Sequence, residues 1–297
     1  MENEFLWRAQ IHVSHRAVDS VCQLFEKFCM AVSWFENNDK PNEWRVEGYA
    51  GVALDKTYMT GEVSRFFLDI GETPLTPLRY ELVRPRDWLK LNAVDFKPTL
   101  VGRFFIHGSH FRGPVPFGCR SILLDPGTAF GSGEHGSTMG CLAMIEKLEK
   151  VHRFCCLLDM GCGSGILSIA MAKVWPASII AADLDSEAVR VTARNAKRNG
   201  VAKRIMSIQS KGYNAKRIKS GGPYDLITAN IFMRPLISMA QDLSRNLRRK
   251  DKGGSFAILS GVLESDGRRV LAAHRAHGLR LCNWIVLNGW LTMLLRR

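Results

Sequence analysis

Residues 157–170 read LLDMGCGSGILSIA, and this stretch decides the fold. An apolar strand breaks into Gly161-Cys162-Gly163-Ser164-Gly165 and resumes as a helix. Three glycines in five residues lose more conformational freedom on folding than a plain turn requires. They are expected where the backbone turns sharply and approaches a ligand with no Cβ in the way. The free N–H groups of the following helix then aim at the same place. A second apolar stretch, Ser178 to Ala182, ends in Asp183, close to the spacing at which doubly wound folds put a carboxylate on ribose hydroxyls. Loop and acid together predict a nucleotide-cofactor site.

Outward from this loop the pattern alternates between strand and helix. A helix runs to about Val174, stopped by Pro176, and another spans Ser186 to Asn199, with Asp185 as N-cap and Gly200 as its stop. Its expected apolar face is Ala188, Val189, Thr192, Ala193 and Ala196. Strands are expected at Ile205–Gln209, Asp225–Ala229 and Ser255–Ser260, with Pro235 starting an intervening helix and Glu264–His277 forming a later one. The last two strands, Leu279–Leu287 and Trp290–Leu295, are joined by Asn288-Gly289, a strong two-residue hairpin signal. The fold expected is α/β, a doubly wound parallel sheet closed by an antiparallel C-terminal hairpin. Before it, strands at 5–13, 31–36, 44–53 and 80–83 with helices at 16–28 and 58–69 give a strand-helix-strand-strand-helix-strand order. That order suggests a small ferredoxin-like α/β domain. The expected division is a domain over 1–84, a Pro-rich linker over 85–120 with Pro85, Pro98, Pro114 and Pro116, and a second domain over 121–297.

The chain has 297 residues, enough for two domains, and its 46% hydrophobic and 23% charged residues are those of an ordinary globular protein. No apolar run reaches membrane-spanning length and Met1-Glu2-Asn3-Glu4 does not resemble a signal peptide, so a cytoplasmic protein is expected. The eight cysteines show no Cys-x-x-Cys spacing, and His107/His110 and His274/His277 lack acidic or cysteine companions, so no metal site is read. Most of the cysteines are expected to be small buried hydrophobes. The net charge of +13 is uneven: residues 1–120 hold 15 basic and 15 acidic side chains, residues 121–297 hold 26 and 13. Ten basic residues and no acidic one lie between Arg190 and Lys219. Such a run is either a polyanion-attracting face or a solvated helix face.

Two further constellations carry chemistry. Residues 123–138, LLDPGTAFGSGEHGST, form a loop too costly in glycine to be a plain connector. It reads as a lid whose Ser137 and Thr138 either cap the next helix or, for Thr138, reach a ligand; His135 reads as a residue that orients the loop. At a strand's carboxyl end, where ligands bind in such sheets, stands Ala229-Asn230-Ile231-Phe232. Asn230 either caps the turn or accepts a hydrogen bond from an incoming nucleophile.

The tight G-x-G-x-G form after Asp159, with only Ser164 before the third glycine, departs from the NAD and FAD pattern. It resembles the first motif of class I methyltransferases, which use S-adenosylmethionine (SAM). Taken with DPGTAFGSGEHGST, Asp183, Asn230-Ile231, LSGVL from Leu259 and Gly289-Trp290, the chain resembles the PrmA family, which methylates amino groups of large-subunit ribosomal protein L11. The likeness is strong over 121–297; before it the match is in element order and in Asp87-Trp88 and Phe96-Lys97-Pro98. The resemblance implies a seven-stranded class I methyltransferase sheet. It also implies SAM contacts from Thr138, Gly161, Gly163, Asp183 and Asn230, with Asn230 beside the substrate nitrogen as the catalytic residue. It implies an N-terminal domain that docks L11. The expected partner is L11, free or in the ribosome, the expected state is a monomer, and the basic face, read from charge, is available for weak rRNA contact. Ser132 and Ser137 replace two family threonines, and Gly136 stands where proline is common, which loosens the lid. Other readings are methylation of RNA or another protein, or a non-catalytic SAM- or RNA-binding assembly factor. Ile231-Phe232 in place of Pro-Pro-aromatic weakens an adenine or glutamine substrate, and the intact loop, Asp183 and Asn230 argue for an enzyme.

Overall fold

The computed structural model describes residues 6–29, 31–37, 40, 42–83, 98–125, 135–249 and 254–297, and it divides into two compact units, Met1–Asn92 and Ala93–Arg297. In the first, β1 (Leu6–Ser14), α1 (Val18–Phe25), β2 (Ala31–Glu36), β3 (Glu43–Ala50), α2 (Lys56–Ile70) and β4 (Arg79–Val83) follow the expected element order. The strands pair antiparallel in the order β2-β3-β1-β4. Alternation places Ala9, Ile11 and Val13 of β1 in a core with Val21 and Phe25 of α1 and Met59, Val63 and Phe67 of α2, the last three at helical spacing. Asp55 caps α2 by accepting from the Tyr58 N–H at 2.9 Å, and Gly71 ends it at φ +68°.

The second unit begins earlier than the sequence suggests. β5 (Thr99–Val101), β6 (Phe104–His107) and β7 (Arg120–Leu123) form a three-stranded sheet. Val101, Phe104, Ile106 and Ile122 enter the same core as Leu142 and Ile145. This corrects the linker expected over 85–120: its second half is part of the unit, because burial of Val101 and the consecutive Phe104, Phe105 and Ile106 outweighs the proline and glycine signals of the loop after β6. Residues 84–97 lie outside the described residues.

The seven-stranded sheet comprises β8 (Cys156–Met160), β9 (Ser178–Asp183), β10 (Ile205–Gln209), β11 (Leu226–Asn230), β12 (Phe256–Leu263), β13 (Arg280–Leu287) and β14 (Trp290–Arg296), in the order β10-β9-β8-β11-β12-β14-β13. All pairings are parallel except those of β14. One face, through Leu157, Ile179, Leu226 and Ile258, packs on α3 (Gly136–Glu149), α4 (Ile166–Val174) and α5 (Ser186–Arg198). The other, through Leu158, Ile227, Ala257 and Leu295, packs on α6 (Lys216–Gly221), α7 (Met233–Ser238), α8 (Ala240–Asn246) and α9 (Gly267–Arg275). Strands covered on both faces read as continuous apolar runs. Asn288 and Gly289 at φ +51° and +77° make the hairpin turn read from the sequence.

α5 corrects one expectation: its buried residues are Ala188, Val191, Thr192, Asn195 and Ala196, so Val191 and Asn195 replace Val189 and Ala193 on that face. Of the cysteines, Cys22, Cys141 and Cys162 are buried whereas Cys155 and Cys282 are exposed. Among the described residues no helix is long and apolar enough to cross a membrane.

Candidate active site

The glycine loop leaves β8 with Gly161, Gly163 and Gly165 at φ +74°, +52° and +83°, backbone that a side chain strains. Gly161 and Cys162 donate their N–H groups to the Ala182 carbonyl at 2.7 and 3.1 Å, so the loop folds onto the end of β9. The Asp183 carboxylate accepts from the Gly163 N–H at 2.9 Å through one oxygen and from the Asp185 N–H at 3.0 Å through the other. Two hydrogen bonds leave acceptor capacity on this carboxylate. From beneath, α5 donates Thr192 Oγ1–H to the Gly163 carbonyl and Asn195 Nδ2–H to the Ser164 carbonyl, both at 2.9 Å. A Cβ on Gly165 would sit 2.9 Å from Thr192 Cγ2 and 3.2 Å from its Cα, so the third glycine is what lets the loop seat on α5.

Asp159 is fully buried and holds the loop's two flanks together. One oxygen accepts from the Ser168 N–H and hydroxyl at 3.0 and 2.6 Å, the other from the Thr228 hydroxyl at 2.7 Å. Burial raises its pKa, and the three hydrogen bonds oppose that rise.

At the carboxyl end of β11, Asn230 Nδ2 donates to Thr138 Oγ1 at 3.2 Å, joining two residues 92 positions apart in sequence. Thr138 is buried in the first turn of α3. That turn lacks a side-chain cap, so the capping reading of Ser137 and Thr138 does not hold. Ser137 instead meets His135 Nδ1 at 2.8 Å, and the His135 ring lies 4.3 Å from that of Trp290. Burial pulls the His135 imidazole below its ordinary pKa. The turn after Asn230 is clamped: the Ile231 N–H donates to the Ser260 carbonyl at 3.1 Å. A Cβ on Gly261, at φ +84°, would meet the Ile231 backbone. On the other side the Ile231 methyl occupies the space where a Cβ on Gly161 would stand. Thus the glycine loop, Asn230 and α3 meet at one edge of the sheet.

Of the sequence-predicted residues, Thr138 and Asn230 share one hydrogen bond and Gly163 and Asp183 another, and the Ile231 side chain packed against Gly161 brings the two pairs to the same edge. Residues 126–134, the middle of the lid with Ser132, lie outside the described residues. Reading from sequence missed Asn195, Ser168 and Thr228 as loop holders. Asn195 was legible at the i+7 position from Ala188; the other two carry no local signal. At the ends of β9 and β11, Leu184 and Phe232 are each 66% exposed, large apolar side chains left in solvent beside polar groups. A backbone cradle without Cβ atoms, a carboxylate with open acceptor positions and adjacent apolar surface fit a nucleoside-bearing ligand such as SAM.

Strand order 3-2-1-4-5-7-6 counted from β8, with this loop and acid at the carboxyl edge, defines a class I SAM-dependent methyltransferase. The family model for ribosomal protein L11 methyltransferase (PrmA) matches residues 6–297, and the chain belongs to that family. It is 36% identical over 280 residues to a ribosomal protein L11 methyltransferase of Rhizobium etli, covering 94% of each chain. With that of Bradyrhizobium diazoefficiens it shares 34% over 284 residues, covering 96% of this chain and 93% of the relative. A crystal structure of ribosomal protein L11 methylase from Lactobacillus delbrueckii subsp. bulgaricus superposes with a TM-score of 0.57 at 27% identity, covering 67% of this chain and 97% of that one.

Proposed function

We propose that this methyltransferase transfers methyl groups from SAM to lysine and terminal amino nitrogens of large-subunit ribosomal protein L11. The observation that carries the proposal is the Asn230–Thr138 hydrogen bond: it uses the amide N–H and leaves Asn230 Oδ1 as an acceptor for the N–H of an incoming amine. Bound SAM would supply a methyl group on a sulfonium, whose leaving thioether is neutral, so little acid–base chemistry is asked of the protein. Asn230 Oδ1 aligns the amine lone pair, and Thr138 fixes which way the amide points. The buried surroundings of Thr138 and Ala229 favour the neutral amine over the ammonium. Asp183 accepts from ribose hydroxyls, Gly161 and Gly163 let the backbone approach, Thr138 and Asn230 hold the methionine part, and Leu184 offers apolar surface to the adenine. The unit before residue 85 docks the protein substrate, in the cytoplasm and on a monomeric enzyme. The ten basic residues of 190–219 are exposed, which supports a weak, sequence-independent contact with rRNA.

The test is incubation of purified protein with labelled SAM and unmethylated large-subunit ribosomal proteins, followed by mass spectrometry. Mass gains of whole methyl units confined to L11 are expected. Label in RNA or another protein would replace this substrate. Deletion of residues 1–84 is expected to abolish L11 methylation and spare SAM binding, since each unit has its own core. An unchanged methylation rate would remove the docking role.

A further inference from the structure

Strand β12 spends one residue more than its partner where it passes the site. Its ladder to β14 pairs Leu259 with Met293 and Val262 with Leu291, so Ser260 and Gly261 together face Thr292 in a β-bulge. Gly261 stands at φ +84°, and a Cβ on it would run into the backbone of Ile231, the residue that follows Asn230. The Ser260 carbonyl accepts from the Ile231 N–H at 3.1 Å. Both bulge residues therefore brace the Asn230 turn from the β12 side.

The same bulge is tied to the helix that carries Thr138. Across the interrupted ladder the Ser260 hydroxyl donates to the Leu291 carbonyl at 2.9 Å, and Ser260 Oγ lies 2.8 Å from Thr292 Oγ1. A hydroxyl has one proton, so with that of Ser260 on Leu291, Thr292 is the donor within the pair. Both side chains are fully buried. Thr292 in turn meets α3: a Cβ on Gly140 would overlap Thr292 Oγ1, and one on Gly136, a turn earlier, would overlap the Leu287 carbonyl. The Cys141 thiol of α3 has both hydroxyls as hydrogen-bond neighbours. The start of α3 thus rests on the β13–β14 hairpin through two glycines, with Thr138 between them in sequence.

We propose that Ser260 and Thr292 are positioning residues for methyl transfer: their hydroxyl pair sets the separation between the Asn230 turn and the first turn of α3, and so keeps the Asn230 amide on Thr138. The role rests on the assignment of Asn230 Oδ1 to the incoming amine. Ser260 holds Ile231 through its carbonyl, and Thr292 seats α3 at Gly140, so the pair joins the two sides that Asn230 and Thr138 must bring together. The Asn230–Thr138 hydrogen bond, at 3.2 Å, is at the long end of its range, and an added separation of about 0.4 Å removes it. Packing alone does not call for two hydroxyls here, since an apolar pair of the same shape is close to neutral for stability.

The test compares Thr292→Val, which keeps the shape and removes the donor, with Thr292→Ser, which keeps the donor and loses a methyl group. Each full chain is assayed with SAM and unmethylated L11. The Asn230 side-chain amide is followed by NMR, its signal assigned from its loss in Asn230→Ala. Thr292→Val is expected to lower kcat by on the order of ten-fold, with KM for L11 and SAM affinity by calorimetry changed by less than about two-fold. It should also shift the Asn230 amide signal. Thr292→Ser should return kcat and the amide signal toward wild type even though the lost methyl lowers its urea midpoint. In an Asn230→Ala background Thr292→Val should lower kcat no further. A purely structural pair would lower the urea midpoint in both variants and leave kcat and the amide signal in place, and that result overturns the proposal. Failure of Thr292→Ser to restore either readout does the same. If Asn230→Ala lowers kcat and Thr292→Val does not, the positioning role alone falls. If Asn230→Ala leaves kcat normal, the assignment of Asn230 falls and takes the positioning role with it.

Discussion

Asn230 and Thr138, 92 residues apart, share a hydrogen bond of 3.2 Å from the amide Nδ2 to the hydroxyl oxygen. One stands at the end of the fourth parallel strand, β11, the other in the first turn of the helix after the lid. Their contact fixes the amide orientation and leaves Asn230 Oδ1 as the open acceptor.

Replacing Asn230 by Ala is expected to lower kcat by on the order of 100-fold, the cost of losing alignment at the reacting nitrogen. SAM affinity should change far less than kcat. In a double-mutant cycle with Thr138→Val the two losses should be non-additive by roughly 1 kcal/mol. Additive losses would mean that Thr138 does not act through Asn230.

Asp183→Ala removes a carboxylate that both holds the Gly163 N–H and is assigned to the ribose. SAM binding should weaken by about 1.5–3 kcal/mol per charge-assisted hydrogen bond lost. Calorimetry reads this directly, and an unaltered SAM affinity refutes the ribose assignment.

Gly161→Ala places a Cβ against the Ile231 side chain at φ +74°. The left-handed backbone alone costs ~1–2 kcal/mol, and the clash shifts the Asn230 turn as well. Adding Ile231→Ala should restore the steric part of the lost SAM affinity and leave the backbone part. A double variant no better than the single one would show that the contact is unimportant.

His274 is fully buried, with Nδ1 2.8 Å from the Val270 carbonyl, and burial lowers its pKa. A folded-state pKa below the unfolded value of about 6.5 means the unfolded chain binds the proton more readily. Stability is therefore whole above that value and falls as pH drops through it. His135, also lowered by burial, acts in the same sense. The urea midpoint should fall between pH ~7.5 and ~5.5, and His274→Leu should fall less. Equal losses in both proteins would place the acid sensitivity elsewhere.

Local sequence determined the strands of the seven-stranded sheet, the glycine loop, the acid at Asp183 and the Asn288-Gly289 turn. These are local: a glycine triplet or a two-residue turn acts through φ angles of adjacent residues. It also determined Asn230 and Thr138 as polar residues at element ends. Tertiary structure alone decided that they touch, because a contact across 92 residues depends on which strands pair and where the lid helix lands. It decided that Asp159 is a buried brace between Ser168 and Thr228, that the stretch after residue 98 joins the second unit, and that Asn195 holds the loop. It also brought Ser260 and Thr292 together between the Asn230 turn and α3. Each depends on packing between distant segments, where hydrophobic burial outweighs local turn and charge signals.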